Sequence, residues 1–180
     1  MAILKIARMG HPVLTRRAEP VAEIGAPEVR RLIRDMLETL VDAQGIGLAA
    51  PQVHESLRVI VFLDALDRED ASPRTPVVLI NPELEPLDEA IDPGWEGCLS
   101  IPGLRGLVPR HARIRYRGRG IEGELIERTA HGLHARVVQH EVDHLDGVLY
   151  PMRMTDLRQL AFESELRHFP MEPDRGEQEG

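Results

Sequence analysis

The sequence predicts an α+β fold. Two segments space their apolar residues as helices do and a third is bounded by helix start and stop residues, several short runs read as strands, and the two kinds do not alternate strictly as a doubly wound sheet requires. The chain has 180 residues, enough for one sizeable core. Hydrophobic residues make up 42% but aromatics only 3%, so Leu, Ile and Val must fill most of that core. With 29% charged residues, a globular chain is favoured over a disordered one.

Residues 10–27 are punctuated by Gly10, Pro12, Pro20, Gly25 and Pro27 and read as irregular. From Glu28 to Ala43, Val29, Leu32, Ile33, Met36, Leu37 and Leu40 recur at helical spacing, with Pro27 at the start and Gly45 past the end. Leu57–Leu63 is a buried strand, Asp64–Pro76 a polar loop, and Val77–Ile80 a short strand before the Pro-rich Asn81–Pro86. Arg110–Arg117 alternates like a half-exposed strand, and Ile121–Glu127 is its expected hairpin partner across Gly118–Gly120. Leu133–Leu145 is a second helix. Thr155–Phe169 is expected to be a third, capped by Thr155 and stopped by Pro170. One domain over residues 1–169 is thus expected, with a frayed acidic tail over 170–180.

The net charge of −8 argues against a dedicated DNA or RNA binder. Lys5 is the only lysine, an arginine bias without functional weight. The single cysteine, Cys98, excludes an internal disulfide and suits a reducing compartment. No apolar run reaches the roughly 20 residues of a membrane span, and none near Met1 reads as a signal peptide. A cytoplasmic protein without membrane contact is expected.

The strongest chemical signal is His140-Glu-Val-Asp-His144. Four residues apart on a helix, the two histidines are offset by only about 40°, so both imidazoles can bind one ion. Glu141 is turned by about 100°, beside the ion, where a carboxylate can move a proton. A catalytic site needs a third protein ligand and an open position. Cys98 and an acid such as Asp146 are candidates, whereas His131 and His134 share no helix face with both ligands. Taken alone, Cys98 would be a small buried hydrophobe.

Gly45-Ile-Gly-Leu-Ala-Ala50 superficially fits a dinucleotide loop, but a helix precedes it and Pro51 closes it before a strand, so that reading is rejected. Its glycines instead let backbone approach a ligand, and Gln52 can donate an amide N–H to a developing oxyanion.

Gly45-Ile-Gly-Leu-Ala-Ala-Pro-Gln52, Glu96-Gly-Cys-Leu-Ser100 and His140-Glu-Val-Asp-His144, in this order, closely resemble the three motifs of peptide deformylases. The similarity runs over about residues 1–155, through Asn81-Pro82 and His144-Leu-Asp-Gly-Val-Leu-Tyr150. The resemblance implies mixed, largely antiparallel sheets around a central metal-bearing helix. It implies Cys98, His140 and His144 as metal ligands for one divalent ion, Fe²⁺ in the cell and Zn²⁺ or Ni²⁺ after purification. Glu141 would be general base and then general acid, with Gln52 and the Leu99 N–H as oxyanion donors. Ile46 and Gly47 would pair with the peptide backbone, Arg105 would meet it, and Leu133 and Val137 would line the methionine pocket. The implied substrates are N-formyl-methionyl nascent peptides, met near the ribosomal exit tunnel.

One departure concerns Arg136, at a position where the pocket is commonly apolar; either its guanidinium turns away or the pocket has a polar rim. Arg110, Arg113, Arg115, Arg117 and Arg119 form a basic stripe, read as a solvated strand face ahead of a ribosomal contact. Rival functions are a His-Glu-x-x-His metallopeptidase, which would need neither Cys98 nor Gln52, and a non-catalytic metal-binding homologue, which would leave Glu141 idle.

Overall fold

The structure is a computed structural model that describes residues 2–64 and 74–169. The expected acidic tail over 170–180, and residues 65–73 of the expected polar loop, lie outside the described residues.

The first helix, α1, spans Pro27–Asp42, with Pro27 in its opening turn, where the missing N–H costs nothing. Val29, Ile33, Met36 and Leu40 are its buried stripe. Strand β1 (Gly47–Ala49) follows, then a buried 3₁₀ turn, Ala50–Val53, and strand β2 (Val59–Leu63). Strands β3 (Pro76–Pro86), β6 (Arg113–Arg119) and β7 (Leu125–His131) complete a five-stranded antiparallel sheet in the order β1-β2-β3-β6-β7. Helix α2 (Gly132–Leu145) packs on one face of this sheet and α1 on the other. That explains why β2 is apolar throughout: Val59 and Val61 face the α1 side, Ile60 and Phe62 the α2 side.

Strands β4 (Ile91–Cys98), β5 (Ile101–His111) and β8 (Leu160–Phe162) make a second antiparallel sheet, ordered β4-β5-β8. Its cluster, with Ile101, Val108, Leu149 and Tyr150, lies against the end of α2. The two sheets therefore close on α2, whose residues from Ala135 to Leu145 are all buried. Among the described residues no helix is long and apolar enough to cross a membrane.

Three expectations need correction. The C-terminal helix does not form: Thr155–Phe169 holds two 3₁₀ turns, Leu157–Gln159 and Glu163–His168, around β8, which pairs with β5 at Leu104–Gly106. The β5 edge offers Leu160–Phe162 ladder hydrogen bonds, and tertiary pairing overrides the start and stop signals of Thr155 and Pro170. The β6–β7 turn lies at residues 120–124, not 118–120, fixed by Gly120 N–H donating to the Glu124 carbonyl and by Gly123 at φ +84°. Finally, Arg110 is no part of a surface stripe: it lies on β5, buried at 5% exposure, while Arg113, Arg115 and Arg117 pair with Asp88, Glu85 and Glu83.

Candidate metal centre

Helix α2 presents His140 and His144 to the same side, their ring centroids 5.0 Å apart. Strand β4 ends at Cys98, and a two-residue turn, Leu99-Ser100, leads into β5. This turn brings Cys98 Sγ to 3.2 Å from His144 Nε2. One ligand atom from each of Cys98, His140 and His144 lies within 4.8 Å of the other two. Tetrahedral bonds of about 2.0–2.3 Å would separate such atoms by roughly 3.3–3.6 Å, so the three donors fit a divalent ion. Soft thiolate with two imidazoles suits Zn²⁺ or Fe²⁺. Asp146, the other candidate third ligand, instead pairs with Arg58 at 2.8 Å.

The second imidazole nitrogen of His140 is held from behind. Its Nδ1 lies 2.8 Å from Glu96 Oε2, which leaves Nε2 for the ligand side. Glu96 and Cys98 are two residues apart on β4, so strand alternation aims both toward α2. Glu96 also accepts from Arg110 Nε and Nη2 at 2.8 and 2.9 Å, and from Arg136 Nη1 at 3.0 Å. Burial alone would raise the Glu96 carboxyl, but hydrogen bonds from Arg110 and His140 outweigh it and hold the group down at about 2. Arg110 continues the chain to Asp143 on α2 at 2.5 Å, and Arg153 closes on Asp143 at 2.6 and 3.1 Å. Among sequence-derived expectations none gave Glu96, Asp143 or Arg110 a role here. The available signal was the period of two that puts Glu96 beside Cys98.

Arg136 resolves in favour of a guanidinium turned away from the cleft. It donates to the carbonyls of Asp92, Gly94 and Val108 at 2.5, 3.3 and 2.8 Å, besides Glu96. A Cβ on Gly94 would stand 2.7 Å from the guanidinium carbon, so only glycine leaves room for the crossing.

Glu141 points its carboxylate at the opposite wall, where Gly47 lies. A Cβ on Gly47 would come within 2.9 Å of Glu141 Cγ. Glu141 Oε2 is buried without a hydrogen-bond partner, and burial pushes the carboxyl up to about 7, against the pull of His140. Burial, then His140 and Arg110, push His144 down, which favours the neutral imidazole that a ligand requires. For His140 burial acts downward too, but Cys98 and Glu96 outweigh it and raise it.

Gln52 is 1% exposed in the turn after β1. Its Oε1 accepts the Ala49 N–H at 2.8 Å, which turns Nε2 toward Cys98 Sγ at 3.5 Å and Ser100 Oγ at 3.2 Å. A cleft of about 450 Å³ opens over these groups. Ile46, Gly47, Gln52, Cys98, Leu99, Arg105, Leu133, Val137, His140 and Glu141 all line it, so the structure gathers every expected site residue there except His144, which lies beneath at 1% exposure. Glu163, without any expected role, also lines the cleft and accepts from Arg105 Nη2 at 2.7 Å.

Residues 3–160 match the family described as polypeptide deformylase. The chain is 51% identical to peptide deformylase 2 of Ralstonia nicotianae over 164 residues, covering 89% of this chain and 92% of that one. It is 51% identical to peptide deformylase 1 of Bordetella pertussis over 174 residues, covering 94% and 97%. Among solved structures, the Met-Ala-Ser-bound class I type b peptide deformylase of Acinetobacter baumannii superposes with a TM-score of 0.77 at 36% identity, over 85% of this chain and 99% of that one. The actinonin complex of a Synechococcus elongatus peptide deformylase gives 0.78 at 38% identity, over 88% and 82%. With its Cys-His-His donor set, its buried Glu141 and this coverage, the chain belongs to the polypeptide deformylase family.

Proposed function

We propose that this chain hydrolyses the formyl group from N-formyl-methionyl peptides and releases formate, with residues 1–169 as one catalytic domain. The observation that carries the reading is the meeting of Cys98, His140 and His144 with the unpartnered Glu141 carboxylate and the Gln52 amide in one cleft. Cys98, His140 and His144 would hold one divalent ion, Fe²⁺ in the cell and Zn²⁺ or Ni²⁺ after purification. Bound there, the ion supplies Lewis acidity, polarising the formyl oxygen and lowering the pKa of water.

The chain's own groups supply the rest. Gln52 Nε2–H, aimed by the Ala49 bond, donates to the oxyanion, joined by the Leu99 N–H in the β4–β5 turn. Glu141 Oε2 takes the proton of the attacking water and passes it to the leaving amine. Gly47 sits at the open edge of the five-stranded sheet, so its backbone groups, with Ile46 beside it, can pair with an extended peptide. Val137 and Leu133 wall the methionine pocket, and the Arg136 stem adds to it while its charge faces elsewhere. Arg105 meets the peptide backbone further along.

A His-Glu-x-x-His peptidase has no use for a Gln52 amide directed at a cysteine ligand, and a purely structural metal site has none for an unpartnered Glu141. The substrate places the enzyme in the cytoplasm, where nascent chains emerge from the ribosome. The arginines of β6 lend no support to a ribosomal contact, since Glu83, Glu85 and Asp88 neutralise three of them. The test is formate release from formyl-Met-Ala-Ser by Fe²⁺-loaded protein under anaerobic conditions. Wild type should turn over and Glu141→Ala should not; equal background rates for both would refute the assignment.

A further inference from the structure

The charged residues around the cleft fall into two groups. Glu96, Arg136, His140 and Glu141 have at most a tenth of their area exposed, and the first three are held in the network behind the metal site. Arg105 and Glu163 alone among the charged lining residues reach solvent, with side chains 38% and 57% exposed. An arriving peptide therefore meets charge at one place.

That place is built by the fold. Arg105 lies opposite Gly97 on the β4–β5 ladder, and a Cβ on Gly97 would stand 2.6 Å from its Nη1, so the guanidinium crosses over Gly97 beside the Cys98 end of β4. On its other side Arg105 is in register with Ala161 of β8. Glu163 follows β8 immediately, and this strand delivers its carboxylate to Arg105 Nη2 at 2.7 Å. The carboxylate is the more exposed partner, so it forms the outer member of the pair.

We propose that Glu163 is a specificity-determining residue: by covering Arg105 at the cleft rim with an outward carboxylate, it favours peptides with cationic side chains after the methionine and disfavours acidic ones. The inference rests on the deformylase reading and adds to it the class of downstream residue selected. With Glu163 neutralised, Arg105 stands bare and the local charge changes sign from the peptide's side. For a half-exposed pair the effect is modest, about two- to fivefold in relative rate, and it should shrink as salt screens it.

The test uses the metal-loaded enzyme with amidated formyl-Met tetrapeptides carrying Lys or Glu at the second, third or fourth position, and formyl-Met-Ala-Ser as a neutral reference. The readout is the Lys:Glu ratio of kcat/KM within each protein, so any change common to all peptides cancels. In Glu163→Gln that ratio should fall by about two- to fivefold at one position or more. In Glu163→Asp, which keeps the charge, it should stay nearer wild type. An unchanged ratio in Glu163→Gln at all three positions, with formyl-Met-Ala-Ser still turned over, overturns the role of Glu163 and leaves the deformylase reading standing. Absence of formate release from formyl-Met-Ala-Ser by wild type overturns both.

Discussion

His140 Nδ1 and Glu96 Oε2 lie 2.8 Å apart inside the wall of the cleft, and the same carboxylate accepts from Arg110 and Arg136. A single β4 side chain thus orients one imidazole of the candidate metal site and fastens the second sheet to α2. The two duties can be separated by experiment. Glu96→Gln keeps the shape and one acceptor but removes the charge. Metal affinity should fall by about 10–100-fold, as when other groups behind metal ligands are lost. Stability should also drop, by about 3 kcal/mol, because Arg110 and Arg136 remain buried with weaker partners. Metal titration and thermal unfolding check both; wild-type values in either would remove the corresponding duty from Glu96.

Gln52→Ala deletes the amide aimed at Cys98 and leaves the three donors in place. Turnover should fall by about 10²–10³ while metal content stays at one ion per chain. A variant that loses metal in proportion to activity would mean that Gln52 holds the site together instead of acting on the oxyanion.

Gly47 and Glu141 are packed too closely for any side chain at position 47. In Gly47→Ala, Glu141 must swing aside or β1 must retreat, and α2 is buried too deeply to yield. A displacement of about 1 Å at a reacting group costs roughly 10²-fold in rate. The expected result is that loss in kcat with metal binding intact, and an active Gly47→Ala enzyme would show that the contact is not needed.

Tyr150 carries a buried hydroxyl with no hydrogen-bond partner, its ring stacked on His140 at a centroid distance of 6.3 Å. Removing an unsatisfied polar atom while keeping the ring should be neutral or stabilising, by up to about 1 kcal/mol. For a chain of this size that is an increase in Tm of roughly 2–4 °C. A clear fall in Tm for Tyr150→Phe would reveal that the hydroxyl is bound to an ordered water.

What the sequence disclosed follows from how each element is stabilised. Helix α1 and strand β2 were legible because their own apolar spacing matches the surface they bury: α1 runs Pro27–Asp42 against an expected Glu28–Ala43. The motif residues were legible as a set because their chemistry is fixed by spacing on α2 and by the resemblance. The β4–β5 hairpin was not, since Gly94, Pro93, Pro102 and Pro109 look like loop residues. Pro93 and Pro109 in fact face each other across the ladder. β3 likewise passes Pro82 by means of an irregularity between Ile80 and Glu83, with Asn81 at φ 52°. Glu96 and Glu163 escaped for a different reason: their partners, Arg110 and Arg105 on β5 and Arg136 on α2, come to them only through tertiary packing, and no local pattern encodes those pairings.

The brevity of β1 has a consequence for what can be read by this cleft. Antiparallel pairing with β2 leaves the backbone groups of Gly47 and Ala49 facing away from the sheet, and the Ala49 N–H is already taken by Gln52. Leu48 and Ala49 are fully buried, and the turn Ala50–Val53 closes the way beyond them. One rung is therefore open, at Gly47. An extended chain laid along this edge finds no second free rung on β1, so its grip on the cleft has to come from side chains instead of from a longer ladder.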